Sequence, residues 1–270
     1  MFSLLFFAGL LILGGAVAGF MAGLFGVGGG AILVPVIYEV LGLAGVDDTI
    51  RTHMALATSL AVVFPNGIRS TIAHNAKGSV DWKIVKLFTP SIIIGVFLGT
   101  IIAKQIDGNQ LRLIYGIMSI AVAGYLFWSR QNPDFRFSWP SDWVTRLYGV
   151  ITGILSTLMG IGGGTFTSSY MTSFGRSIHQ AVATAAAIGP VVALPAIIGF
   201  IWIGLNNELL PVGSVGFISL LGVGLILPTS LLAVPLGVKF AHSLSRAQLE
   251  LLFIIFLLTV GLRFIWSVIF

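Results

Sequence analysis

The sequence predicts an all-α polytopic membrane protein made of two homologous halves, arranged as inverted repeats, each a glycine-broken helix pair followed by three spanning helices. Three observations lead there. Hydrophobic residues make up 57% of the 270-residue chain and charged residues only 9%, against about 25% charged in a soluble domain that must solvate its own surface. Apolar runs reach the ~20 residues needed to cross a ~30 Å hydrocarbon core, and they recur along the whole chain. Finally, Gly26-Val27-Gly28-Gly29-Gly30 returns as Gly160-Ile161-Gly162-Gly163-Gly164, each time inside such a run.

The elements follow in order. Residues 3–24 and 31–44 cannot be one helix, because residues 3–38 alone would extend ~54 Å at 1.5 Å per residue. The chain must turn at the glycines. Spans at 53–73, 82–104 and 109–128 complete the first half; 144–159 with 165–175, then 179–203, 213–241 and 246–269, make the second. The first apolar run lacks a basic leader region and a small-residue cleavage site, so it is expected as retained helix rather than a removed signal.

The repeat is legible residue by residue. His53, Ala55, Ala57 and Thr58 match His179, Ala181, Ala183 and Thr184. Gly78-Ser79-Val80 match Gly213-Ser214-Val215, and Pro90, Gly99, Ala103, Gln110 and Leu111 match Pro228, Gly237, Ala241, Gln248 and Leu249. The order is preserved with small gaps. The expected division is therefore 1–128 and 144–270 as transmembrane repeats, with the polar stretch 129–143 as linker.

Charge selects the topology. If each broken pair returns to its starting side or crosses twice, one side carries Arg69, Lys77, Lys83, Lys86, Arg130, Arg136, Arg146, Arg176, Lys239 and Arg246. The other keeps Arg51, Lys104, Arg112 and Arg263. Counting each pair as a single crossing removes the bias. The uneven distribution obeys the positive-inside rule and puts the linker and the Lys77–Lys86 loop in the cytoplasm. An odd number of net crossings per half also inverts one half against the other, as in many secondary transporters.

Unpaired backbone at membrane depth is tolerated only inside protein or beside a cavity. Paired breaks in two repeats point to a transporter's binding site. Successive glycines let N–H groups converge, and the helix that follows adds the positive end of its dipole, giving an anion site without a fixed charge. The candidate contacts are Gly28, Gly29 and Gly30 with Gly162, Gly163 and Gly164. The competing reading is close helix packing by small residues. Thr58 and Thr184, with Ser59 beside the first, have hydroxyls that could donate to an anion or bond back to their own helix. His53 and His179 open their helices, where they could exchange a coupling proton or serve as caps. Arg69 and Asn66 lie deep enough in their span to be pathway candidates, with snorkelling to the interface as the alternative for Arg69.

The duplicated glycine motif, Ala57-Thr58-Ser59-Leu60, His74 followed by Lys77-Gly78-Ser79-Val80-Asp81-Trp82, and Ala181-Val182-Ala183-Thr184 together resemble the sulfite exporter TauE/SafE family over essentially the whole chain. The resemblance implies a carrier that moves sulfite, sulfoacetate or other organosulfonates, usually outward. Ala57 and Ala183 stand where many relatives carry glycine before the threonine.

Other classes find little support. Cysteine is absent, which excludes disulfides and thiol catalysis. No HExxH or GxSxG sequence occurs, and the four histidines, 53, 74, 179 and 242, lack metal-site spacing. No enzyme, cofactor or metal is expected. The net charge of +5 is spread over loops, as cytoplasmic loops require, rather than clustered for nucleic acid. The expectation is a secondary transporter in the bacterial inner membrane, working by alternating access around a midplane site, with a small sulfur-containing anion as substrate and the lipid bilayer as surroundings. An anion-selective channel, or a carrier for another small organic anion, is the alternative reading.

Overall fold

The computed structural model describes residues 2–25, 29–131, 138–241 and 243–269. These form α1 (Phe2–Phe25), α2 (Gly30–Leu43), α3 (Asp48–Asn75), α4 (Trp82–Gln105), α5 (Gly108–Gln131), α6 (Asp142–Met159), α7 (Gly164–Ser173) and α8 (Ile178–Gly204). A small hairpin follows, β1 (Ser214–Val215) with β2 (Ile218–Ser219), then α9 (Leu220–Ala241) and α10 (Arg246–Ile269). Among the described residues, α1, α4, α5, α8, α9 and α10 are long and apolar enough to cross a bilayer. Their outer faces present Ile94, Phe97, Ile198, Leu232, Leu262 and Trp266, the surface that lipid covers.

Local chemistry sets the helix starts. Asp47 caps α3 by accepting Thr49 N–H at 2.9 Å, and Asp81 caps α4 by accepting from Lys83 and Ile84; each satisfies orphan amides of the first turn. Two expectations change here. The cap at Asp47 starts α3 before His53, so that histidine lies inside the helix instead of opening it. Residues 213–219 are not helical: Gly213 and Gly216 have φ of +85° and +54°, and β1 pairs antiparallel with β2. Gly216 sits so close to Ile201 that a Cβ would lie 2.5 Å from its carbonyl oxygen. A backbone contact of that kind holds the hairpin, where the apolar sequence alone reads as the start of a span.

The packing exchanges elements between the halves. Helix α1 lies along α9, and its counterpart α6 lies along α4, while α3 packs on α8 and α5 on α10. Glycines set the closeness. A Cβ at Gly19 would stand 2.0 Å from Ser230 O, and one at Gly95 would stand 2.1 Å from Val150 O, so the backbones nearly touch, as small residues permit in membranes. Direction can be read from the same contacts. Gly15, Gly19 and Gly23 face Ile226, Ser230 and Val234 in rising order, so α1 and α9 run the same way. Helices α5 and α10 run oppositely: Arg112 donates to Ser267 O, Tyr115 meets Phe264, and Ile120 faces Gly261.

At the centre α3 crosses α8, with Gly67 against Pro190 and Gly189. The glycine breaks lie against this crossing.

Candidate functional site: two glycine breaks at the centre of the bundle

Gly26, Val27 and Gly28 lie outside the described residues; the rest of both motifs is visible. Gly29 precedes α2 with φ 79°, and Gly163 precedes α7 with φ 71°, left-handed conformations that glycine adopts without steric cost. Gly160 ends α6 in the same region, with φ 63°. The breaks meet. Gly30 rests on Gly160 and Ile161, and Ser59 Oγ donates to Gly160 O at 2.9 Å. Gly162 approaches Gly189 of α8.

Their surroundings differ. At the start of α2, Gly160 O stands 2.6 Å from the place a Cβ on Gly30 would occupy, so a protein carbonyl already faces this helix end. Ile32 N and Leu33 N both turn onto Gly29 O. Beside Gly163 the nearest groups are Val192 and Ile188 of α8 and Ser156 Oγ of α6. Ser156 is fully buried and its hydroxyl has no hydrogen-bond partner among the described residues. The same holds for the hydroxyls of Thr165 and Thr167 on α7, at 2% and 0% exposure. Such groups cost about 1–3 kcal/mol each when left unsatisfied. Thr167 N donates to Gly163 O, which leaves the amides of Gly164, Thr165 and Phe166 ahead of the first helical bond.

These hydroxyls went unread in the sequence. The signal was present: six of the ten residues in GTFTSSYMTS are serine or threonine, an unusual density for a helix buried at membrane depth. Further along α7, Ser168, Ser169 and Thr172 line a small, partly open pocket of about 20 Å³, shared with Phe25, Leu126 and Val182 among others. That is room for one water molecule.

The threonines singled out by the repeat take a role that the sequence did not suggest. Thr58 Oγ1 accepts from Ser219 N at 3.0 Å and Thr184 Oγ1 accepts from Asp81 N at 3.0 Å. Both are fully buried. Each therefore holds the residue just before a helix of the other half, α9 or α4, and retains its own hydroxyl proton for donation.

The remaining candidates scatter. His53 Nε2 lies 2.9 Å from Ala103 O and its ring stacks on Phe217 of the hairpin connection. His179, near the start of α8, is half-buried. Asn66 donates to Ser230 on α9, with its carbonyl oxygen unpartnered among the described residues. Arg69 is exposed and lines an outer groove with Ile68, Ile72 and Leu231, away from the breaks.

Cations gather at the two ends. At one, Arg51 and Arg112 flank the Tyr38 ring at 5.1 and 5.0 Å and share the Asp48 carboxylate at 3.3 and 3.5 Å. At the other, Arg176 lies 3.8 Å from Asp81 and over the Trp139 ring.

A many-helix bundle with an apolar exterior, whose two interrupted helices meet in its interior, has the architecture of a polytopic membrane protein with breaks placed as in transporters. More narrowly, the chain belongs to the sulfite exporter TauE/SafE family, whose family model matches residues 11–264. A probable membrane transporter protein of Haemophilus influenzae is 30% identical over 94% of this chain and 96% of its own length. One of Methanocaldococcus jannaschii is 28% identical over 93% and 92%, and one of Bacillus subtilis, YdhB, is 22% identical over 89% and 93%. No solved structure matches. The protein is thus an integral membrane transporter.

Proposed function

We propose that this protein is a secondary carrier, not an enzyme, that moves a sulfur-containing oxyanion such as sulfite or an organosulfonate across the inner membrane, in the outward direction. The observation that carries the reading is the start of α7, where the first helix amides precede any helical bond and the buried hydroxyl of Ser156, without a partner among the described residues, lies beside Gly163, with the likewise unpartnered Thr165 in the first turn. Oriented N–H and O–H donors at a helix N-terminus suit an oxyanion. Gly162, Gly163 and Gly164 present backbone without side chains, with Ser156 Oγ close to Gly163. The proposed site further includes Thr58 and Thr184 on α3 and α8, and Gly29, Gly30 and Ser59, the last two packed against Gly160, with Gly28 carried from the motif alone.

Two inverted halves, 1–128 and 144–270, would rock against each other around this point. The opposed directions of α5 and α10 support the inversion, because these helices hold equivalent places in the two halves. On this reading the Asp81 end, with Lys77, Lys83 and Lys86, faces the cytoplasm. His53 and His179 are the groups available for proton coupling.

The test is flux in proteoliposomes with radiolabelled sulfite and a sulfonate. A carrier gives saturation and counterflow when unlabelled anion is placed on the opposite side. Unsaturable flux without counterflow assigns a channel, and absence of flux for every sulfur oxyanion overturns the reading.

A further inference from the structure

The charge state of the cargo is written in the donors. Resting on the function proposed above, we infer that the site at the start of α7 takes oxyanions in their singly charged form, a monoanionic sulfonate or hydrogensulfite, and rejects doubly charged ones, sulfate and the carboxylate-bearing sulfoacetate alike.

Two energies compete when an anion leaves water for a buried site. The desolvation cost grows with the square of the charge, so the second unit of charge costs about three times the first. The return from fixed dipoles grows only in proportion to the charge. A site made of dipoles alone therefore favours one charge unless its donors are numerous, and this site is modestly supplied. One helix N-terminus offers the equivalent of about half a positive charge, to which Ser156 and Thr165 add two hydroxyl donors.

Nothing cationic reinforces it among the described residues. Ile188 and Val192 supply the α8 wall beside Gly163. Helix α7 carries no charged residue at all. The arginines nearest to the bundle ends are engaged there: Arg51 and Arg112 with Asp48 and Tyr38, and Arg176 with Asp81 and Trp139. Lys104 lies over the Trp202 ring and Arg69 is on the outer face. The second break adds a lesson by contrast, since at α2 the carbonyl oxygen of Gly160 lies beside Gly30, a negative dipole end that would repel any anion. One site, weakly positive, remains.

The experiment compares probes that differ in charge and little in shape. Methanesulfonate carries one negative charge and sulfate two at neutral pH, and each is titrated against purified wild-type protein in nanodiscs and used to compete with sulfite flux. Methanesulfonate should bind at least tenfold more tightly than sulfate. Equal binding, or tighter sulfate, overturns the charge rule while leaving an oxyanion carrier in place; failure of sulfite, methanesulfonate and sulfate alike to bind overturns the function itself. Ser156→Ala should weaken methanesulfonate binding about tenfold, and Ser156→Thr, which keeps the hydroxyl, should restore most of it. Unchanged affinity in Ser156→Ala moves the site elsewhere and overturns the inference.

Discussion

The half-helices α2 and α7 follow the same glycine motif, start from the same left-handed backbone and contact the same crossing of α3 and α8, yet one buries an aliphatic face and the other, the proposed ligand site, buries hydroxyls. Helix α2 reads GAILVPVIYEVLGL and buries aliphatic side chains along most of its length. Helix α7 reads GTFTSSYMTS and buries hydroxyls. Their neighbours trade places in the opposite sense. Along α3, Ser59, Asn66, Ser70 and His74 are buried, while the α8 positions in the same register are Ala185, Val192, Ala196 and Phe200. Duplication of the frame thus does not require duplication of the chemistry. Polar groups stand once on the half-helix and once on the crossing helix, so that each apolar member backs a polar one.

The sharpest way to break this comparison is at the two glycines. In Gly29→Ala the new Cβ meets the Ala18 carbonyl oxygen at 2.4 Å, where backbone must move. Left-handed strain of ~1–2 kcal/mol adds to overpacking of ~1–3 kcal/mol. Little folded protein should survive detergent extraction. Gly163→Ala carries the same left-handed strain but meets side-chain ends rather than backbone, Val192, Ser156 and Ile188 at 3.0, 3.2 and 3.4 Å, so more of it should extract as a monodisperse species, with anion binding lost. Equal yields of the two variants would mean that the breaks are alike.

Next in size are Thr58→Val and Thr184→Val. Each should lower the thermal stability by about 1–3 kcal/mol, because a buried amide, of Ser219 or Asp81, loses its acceptor. Matching losses in the two variants support the exchanged packing of the halves; a loss of binding without loss of stability reassigns the hydroxyl to the ligand. Thr165→Val should weaken affinity by ~1–2 kcal/mol and leave the melting temperature near wild type, whereas Ser59→Ala, which breaks the bond to Gly160 O, should do the reverse. Calorimetry on both variants separates them. The smallest effect belongs to Arg176→Gln. Its partially exposed pairing with Asp81 is worth at most about 1 kcal/mol, and a larger change in melting temperature would reveal a load on that end of the bundle.

The sequence made much of this plan legible because hydrophobic length and glycine punctuation are strong signals in a membrane chain. The breaks before Gly30 and Gly164, the spans at α4, α5, α8 and α10, and the kinship of Thr58 with Thr184 could all be read from it. The hairpin at 214–219 could not, since Val212, Val215 and Phe217 are as apolar as a span and only the φ values of Gly213 and Gly216 give it away. Nor could the partners of the threonines, because a hydroxyl's acceptor role depends on what the fold brings from more than a hundred residues away. The hydroxyls of α7 were in plain sight, but hydropathy treats serine and threonine as neutral and passes over them.

The pairing of α1 with α9 has a consequence for biogenesis. Thr229 donates to the carbonyl of Ile12 across 217 residues of chain, and at 5–20 residues per second a ribosome takes about 10–40 s to make that length. During this interval the face of α1 carrying Gly15, Gly19 and Gly23 has no partner from its own chain. Lipid, the insertion machinery or a passing helix must cover it, and α1 must stay uncommitted until α9 arrives. A chain cut in the linker would carry the same requirement in trans: neither half completes itself, but the two made together can.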